Sequence, residues 1–176
     1  MHYYKALGLE TKLTLDAGDL QKRFYALSRQ WHPDKFTRAS LDQQQKALET
    51  TALLNDAFRT LRDPVARAEY VLDAHKIAPS KTPPPELLEE VFELNMALEE
   101  MRGGDESARP QLELARKNFT HMLSEIDHGL SVMFGRYDQG HDESLLLAIR
   151  GVLDRRRYVS NLLRDVNKEL DVHVSN

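Results

Sequence analysis

A chain of 176 residues, 41% hydrophobic and 30% charged, has the make-up of a soluble globular protein with room for one medium or two small domains. Its lack of cysteine excludes disulfides, thiol catalysis, cysteine zinc sites and cysteine-ligated iron–sulfur clusters, and points to an intracellular protein. The net charge of −4 gives nucleic-acid binding no support, and with no membrane-length apolar run or secretory leader pattern a soluble, cytoplasmic protein is expected.

The charge is divided unevenly. Residues 1–78 carry 12 Lys+Arg against 10 Asp+Glu, whereas residues 79–176 carry 12 against 18, so the halves stand at +2 and −6. Such asymmetry suggests two surfaces for two partners.

The opening MHYYKALGLE is a short apolar piece, predicted to form a turn or a single helical turn. Asp16 or Asp19 can cap a helix that begins near residue 17. On that helix Leu20, Phe24, Leu27 and Trp31 share one face, while Lys22, Arg23 and Arg29 fall off it and make the exposed side basic. Pro33 disfavours the α conformation at His32, so the helix should stop near Trp31 and present His32, Pro33 and Asp34 at its tip.

Ser40 or Asp42 should start a third helix, with Leu48, Thr51, Leu54, Phe58 and Leu61 as its apolar face, antiparallel to the one before it. Asp63 is a good N-cap with Pro64 at the first helical position, and the helix over about 64–75 should return Val65, Ala68, Tyr70 and Leu72 to the core.

Residues 77–85 hold four of the seven prolines and should be a stiff extended connector. Beyond it come three long helical stretches, about 84–102, 106–136 and 142–171, broken first at Gly103-Gly104 and again around Gly135 and Gly140. Three long helices with short connections predict a coiled-coil-like three-helix bundle. In the last, Leu145, Ile149, Val152, Arg156, Val159, Leu163, Val166 and Leu170 alternate steps of four and three as a heptad seam, with Arg156 snorkelling or paired at its edge.

The first bundle helix has more apolar surface than a seam needs. Leu87, Val91, Leu94, Leu98 and Met101 suffice to pack it, yet Leu88, Phe92 and Met96 form a second stripe rotated by roughly 100°. Glu89, Glu93 and Glu100 border it, and on the last helix Tyr158 and Leu162 offer a companion. The pattern is compatible with a partner surface and equally with burial in a bundle groove or against the N-terminal half.

Other clusters have simpler readings. His121, Glu125 and His128 share a helix face opposite Leu112, Phe119, Leu123, Ile126 and Leu130, which a solvated polar face explains without a metal. Arg155, Arg156 and Arg157 lack interleaved aromatics and are expected to form salt bridges. There is no P-loop, nucleophile elbow or H-E-x-x-H pattern, and no cofactor or intrinsic enzyme activity is expected.

Tyr3-Tyr4 with Leu7-Gly8-Leu9, the helix of Phe24 and Leu27, His32-Pro33-Asp34 followed by Lys35, and Asn55-Ala57-Phe58-Leu61 together resemble a J domain, the module of DnaJ-type co-chaperones. The resemblance implies that His32, Pro33 and Asp34 stimulate the ATPase of a DnaK-type chaperone. Lys22, Arg23, Arg29 and Lys35 would be the basic face that steers onto it.

With no Gly/Phe-rich segment, no zinc-finger cysteines, an acidic helical C-terminal half, RAEYVL at 67–72 and the stretch LLEEVFELNMALEE, the whole chain resembles the HscB iron–sulfur-cluster co-chaperones of bacterial type. That family implies an all-α protein with a J domain over 1–76, a linker over 77–85 and a bundle over 86–176. It also implies that the J domain recruits the chaperone HscA and the bundle binds the cluster scaffold IscU. The scaffold-binding positions carry over to Leu88, Glu89, Phe92, Glu93, Met96 and Tyr158, with departures at Glu89, where Met is frequent, and at Met96, where an acid is common. A general J protein for unfolded clients and a metal-dependent enzyme using the histidines are the alternatives.

Overall fold

The computed structural model describes residues 1–172 and is all-α, with no strand among them. The chain forms two compact units: residues 1–77 with 134–142, and residues 78–133 with the chain from Glu143 onward.

The first unit is built from α1 (His2–Ala6), α2 (Ala17–Trp31), α3 (Leu41–Arg62) and α4 (Pro64–Ala74). Each of the three longer helices starts at a side-chain cap that satisfies an otherwise orphaned N–H. Asp16 accepts from the Asp19 N–H at 2.6 Å, and Asp63 accepts from the Ala66 N–H at 2.7 Å with Pro64 at the first helical position. Ser40 and Gln43 form a reciprocal capping box.

Leu20, Ala47, Leu54, Ala57, Leu61, Ala68, Val71 and Leu72 are buried. Between α2 and α3, Phe24 stacks on Phe58 with ring centroids 4.2 Å apart. Tyr3 stacks on Tyr70 at 4.6 Å, and its N–H donates to the Tyr70 hydroxyl, which fastens α1 to α4. Leu48 departs from expectation, being 53% exposed. The buried positions 47, 54, 57 and 61 centre the inner face of α3 roughly 120° away from Leu48, leaving Thr51 and Phe58 half-buried at its rim.

A polar knot closes this unit. The Arg67 guanidinium is buried and donates to the carbonyls of Leu13 at 2.8 Å and Leu61 at 2.6 Å. The Asp138 carboxylate accepts the N–H groups of Leu13 and Thr14, both at 2.7 Å, and the Tyr4 hydroxyl donates to the Lys12 carbonyl. Burial pushes the Tyr4 phenol far above its ordinary range, so it stays neutral, and burial lowers Arg67.

The second unit contains α5 (Leu88–Arg102), most of α6 (Arg109–Gly140) and α7 (Glu143–Val172). Its core takes Leu87, Leu94, Leu98 and Met101 from the α5 segment, Leu112, Phe119, Ile126 and Leu130 from α6, and a long series from Leu146 to Leu170 from α7. Arg156 is paired at the edge, its guanidinium bidentate on Asp127 with the Nη2 arm at 3.0 Å.

Three expectations shift here. Leu145, Val152 and Leu163 are only half-buried, while Leu146, Leu153 and Leu162 fill the interior. A straight helix drifts about 20° per heptad against a strict seven-residue repeat, so over 30 residues the inner face broadens beyond the expected seam. Leu162 is therefore core, not an exposed companion of Tyr158. Gly135 does not break the middle helix, which runs on to Gly140 and ends where His141 adopts φ 50°. Residues 173–176 of the expected bundle lie outside the described residues.

The proline-rich connector is held to α7. The Ser80 N–H donates to Asp154 at 2.9 Å, Arg157 donates to the Ser80 carbonyl at 2.8 Å, and the nearly buried Arg150–Asp154 pair at 3.1 Å backs this contact.

Candidate docking sites

The first site is the tip of α2. Because Pro33 follows, His32 takes extended backbone angles (φ −58°, ψ 127°), and residues 33–36 then form one 3-10 turn. His32 caps this turn: its Nδ1 accepts from the Asp34 N–H at 3.3 Å, and its carbonyl accepts from the Lys35 N–H at 3.0 Å. Asp34 has its side chain 85% exposed, with its carboxylate 3.4 Å from the His32 ring nitrogen.

The turn is fixed from below. Phe36 stacks on Trp31 at 5.9 Å, the Thr51 hydroxyl donates to the Trp31 carbonyl at 3.0 Å, and Gln44 donates to the Ala39 carbonyl at 3.0 Å. An exposed imidazole and carboxylate thus sit on a backbone braced by α3.

Lys22, Arg23, Arg29 and Lys35 are all exposed. Arg23 is also engaged within the fold, paired with Asp19 at 2.7 Å and donating to the Gly8 carbonyl at 2.9 Å. Gly8 has φ +64°, the left-handed turn that brings this carbonyl to α2. Sequence reasoning overlooked Tyr25 and Ser28, which with Arg29 and His32 line a 350 Å3 depression beside the tip. Tyr25 is 53% exposed, and the signal was available: an aromatic standing off the apolar face of an amphipathic helix.

The second site lies on α5. Leu88, Phe92 and Met96 are 56%, 68% and 50% exposed. The α5 core positions are already filled by Leu94, Leu98 and Met101, so this stripe is surplus to packing. It holds three of the nine large hydrophobic side chains exposed among the described residues, which makes it a patch and not scattered exposure. Glu89 and Glu93 flank it and are exposed.

Tyr158 is half-buried on α7 and lines a hollow with Pro83, Pro84 and Asn161 of the same unit; none of Leu88, Phe92 and Met96 lines that hollow.

The histidine cluster of α6 stays open. His121 is 3.5 Å from Glu125, both side chains largely exposed, and no three ligand-type side chains converge among the described residues. Within the arginine run, Arg156 pairs with Asp127 and Arg157 with Asp154 at 3.2 Å, whereas the Arg155 Nε is buried without a hydrogen-bond partner. No helix among the described residues is long and apolar enough to cross a membrane.

Residues 2–70 match the DnaJ domain family. The fold is similar to that of the chaperone HscB from Vibrio cholerae, with a TM-score of 0.69 and 28% identity over 98% of this chain and 99% of that one. It is also similar in fold to the human co-chaperone protein HscB, with a TM-score of 0.61 and 23% identity over 96% of this chain and 82% of that one. Residues 2–70 therefore form a J domain, and the chain as a whole has the architecture of the HscB-type J-domain co-chaperone that it matches over almost its full length.

Proposed function

We propose that this co-chaperone binds an IscU-type iron–sulfur scaffold through α5 and stimulates the ATPase of an HscA/DnaK-type chaperone through His32, Pro33 and Asp34. Lys22, Arg23, Arg29 and Lys35 steer the acidic chaperone surface onto α2, and the exposed Asp34 carboxylate pairs with a basic group there. The chain performs no catalysis of its own; it brings a cargo protein to a chaperone during cluster assembly and transfer.

The observation that carries the scaffold half of this reading is the exposed stripe Leu88, Phe92 and Met96, bordered by Glu89 and Glu93. Apolar anchors within a charged rim are the form of a selective protein-binding face. Tyr158 on α7 is assigned to the same partner through the family resemblance, although the hollow it lines is a separate one.

Calorimetric titration of apo-scaffold, and separately of a permanently unfolded client, into the wild type and a Leu88→Ala/Phe92→Ala/Met96→Ala variant tests the proposal. It expects tight scaffold binding that the variant loses. Equal affinity in the variant defeats the surface, and preference for the unfolded client would instead make this a general J protein.

A further inference from the structure

The second unit has a groove that shares only Glu93 with the proposed sites. Between α5 and α6 lies a cavity of 410 Å3 with an apolar lining of Leu94, Leu114, Phe119 and Met122. Leu114 is 58% exposed although the neighbouring Leu94 and Phe119 are buried, so the floor is only half covered. Three exposed carboxylates, Glu90, Glu93 and Glu125, line the same cavity.

Arg155 also lines this cavity, from α7.

We propose that this groove docks a short peptide segment of a partner protein, with an apolar side chain on the floor and flanking lysine or arginine on the three glutamates. Such a segment meets both demands. An apolar small molecule leaves the carboxylates unpaired, and an anion is repelled by the glutamates. The cavity volume suits a few side chains. Glu93 also borders the Leu88–Phe92–Met96 stripe, so an occupant of the groove lies beside the proposed scaffold face without requiring it.

The test uses the full chain and two fluorescein-labelled peptides with the same Leu-Val-Leu centre, one flanked by lysines and one by glutamates. Fluorescence anisotropy should show saturable binding of the lysine peptide and at least about tenfold weaker binding of the glutamate peptide. Leu114→Asp, and separately Glu90→Lys with Glu125→Lys, should each weaken the lysine peptide about tenfold or more. These positions are exposed, and an unchanged thermal transition checks that the fold is intact. The Leu88→Ala/Phe92→Ala/Met96→Ala variant should bind the peptide as the wild type does, which separates this site from the scaffold face. Equal binding of both peptides, no binding of either, or affinity that survives the groove variants overturns the proposal. So does a concentration-dependent dimer abolished by Leu114→Asp, because the occupant would then be a second copy of the chain.

Discussion

The α2 tip and the α5 stripe are both exposed, yet they are made in opposite ways. At the tip, polar groups stand on a braced backbone: a proline-set helix end, a histidine-capped 3-10 turn, the Trp31–Phe36 stack and the Thr51 hydrogen bond. On α5, apolar side chains stand on an ordinary helix surface with the core already filled behind them. The difference teaches where specificity is held. On the proposed function, the tip should depend on the orientation of two charged or polar groups and tolerate little change, whereas the stripe should depend on apolar area and lose affinity in increments.

The largest expected effect is therefore at the tip. His32→Gln or Asp34→Asn should reduce stimulation of the partner ATPase to near its basal rate in a steady-state phosphate-release assay. Scaffold binding by calorimetry should be unaltered. A variant that still stimulates at half the wild-type level would show that the braced turn is not the active feature.

Next comes the stripe. Removing three exposed apolar anchors should weaken scaffold binding roughly 100-fold in total, about 1 kcal/mol for each truncation. The thermal transition should barely move, since these side chains are not packed in the monomer. A fall in Tm as large as that of a core variant would mean that the stripe is a buried structural element.

Stability should instead be lost at the polar knot. Asp138→Ala leaves the Leu13 and Thr14 N–H groups without their charged acceptor, a cost of about 2–3 kcal/mol measurable by urea unfolding. Leu54→Ala in the α3 core should cost about 3 kcal/mol in the same experiment, as buried leucine truncations do.

The smallest effect is ionic. Raising salt from 0.05 to 0.5 M, notional values that shorten the Debye length from about 14 to about 4 Å, should slow association with the chaperone several-fold while scaffold affinity changes little. The same salt sensitivity at both faces would contradict the division into a steered face and an apolar one.

Much of this was legible because it is local. The caps at Asp16, Ser40 and Asp63 lie within four residues of what they cap, and the extended His32 follows from the ring of Pro33. The Leu88–Phe92–Met96 stripe could be found because a helix repeats every 3.6 residues, but its exposure could not, since periodicity does not say which of two apolar faces is covered.

What escaped was long-range or graded. Asp138 meets Leu13 across 125 residues of sequence, and Arg67 is buried where the nearby Leu61 carbonyl and the Leu13 carbonyl, 54 residues away, converge on it. Leu162 was assigned to the wrong surface because it lies near the boundary of an apolar sector, and Leu48 because the inner face of α3 centres on 47, 54, 57 and 61, well away from it. Gly135 looked like a break, yet a glycine within a long packed helix costs only about 1 kcal/mol, which the surrounding contacts offset.

The central claim is that one chain must hold the scaffold and excite the chaperone at the same time. The direct measurement is the scaffold-dependent ATPase rate of an HscA-type chaperone with wild type, with His32→Gln, with Leu88→Ala/Phe92→Ala/Met96→Ala, and with the two variants mixed. The account predicts strong joint stimulation by the wild type and none from the mixture, because neither variant carries both faces. Full stimulation by the mixture would contradict it, since the two faces would then have no need to share a molecule.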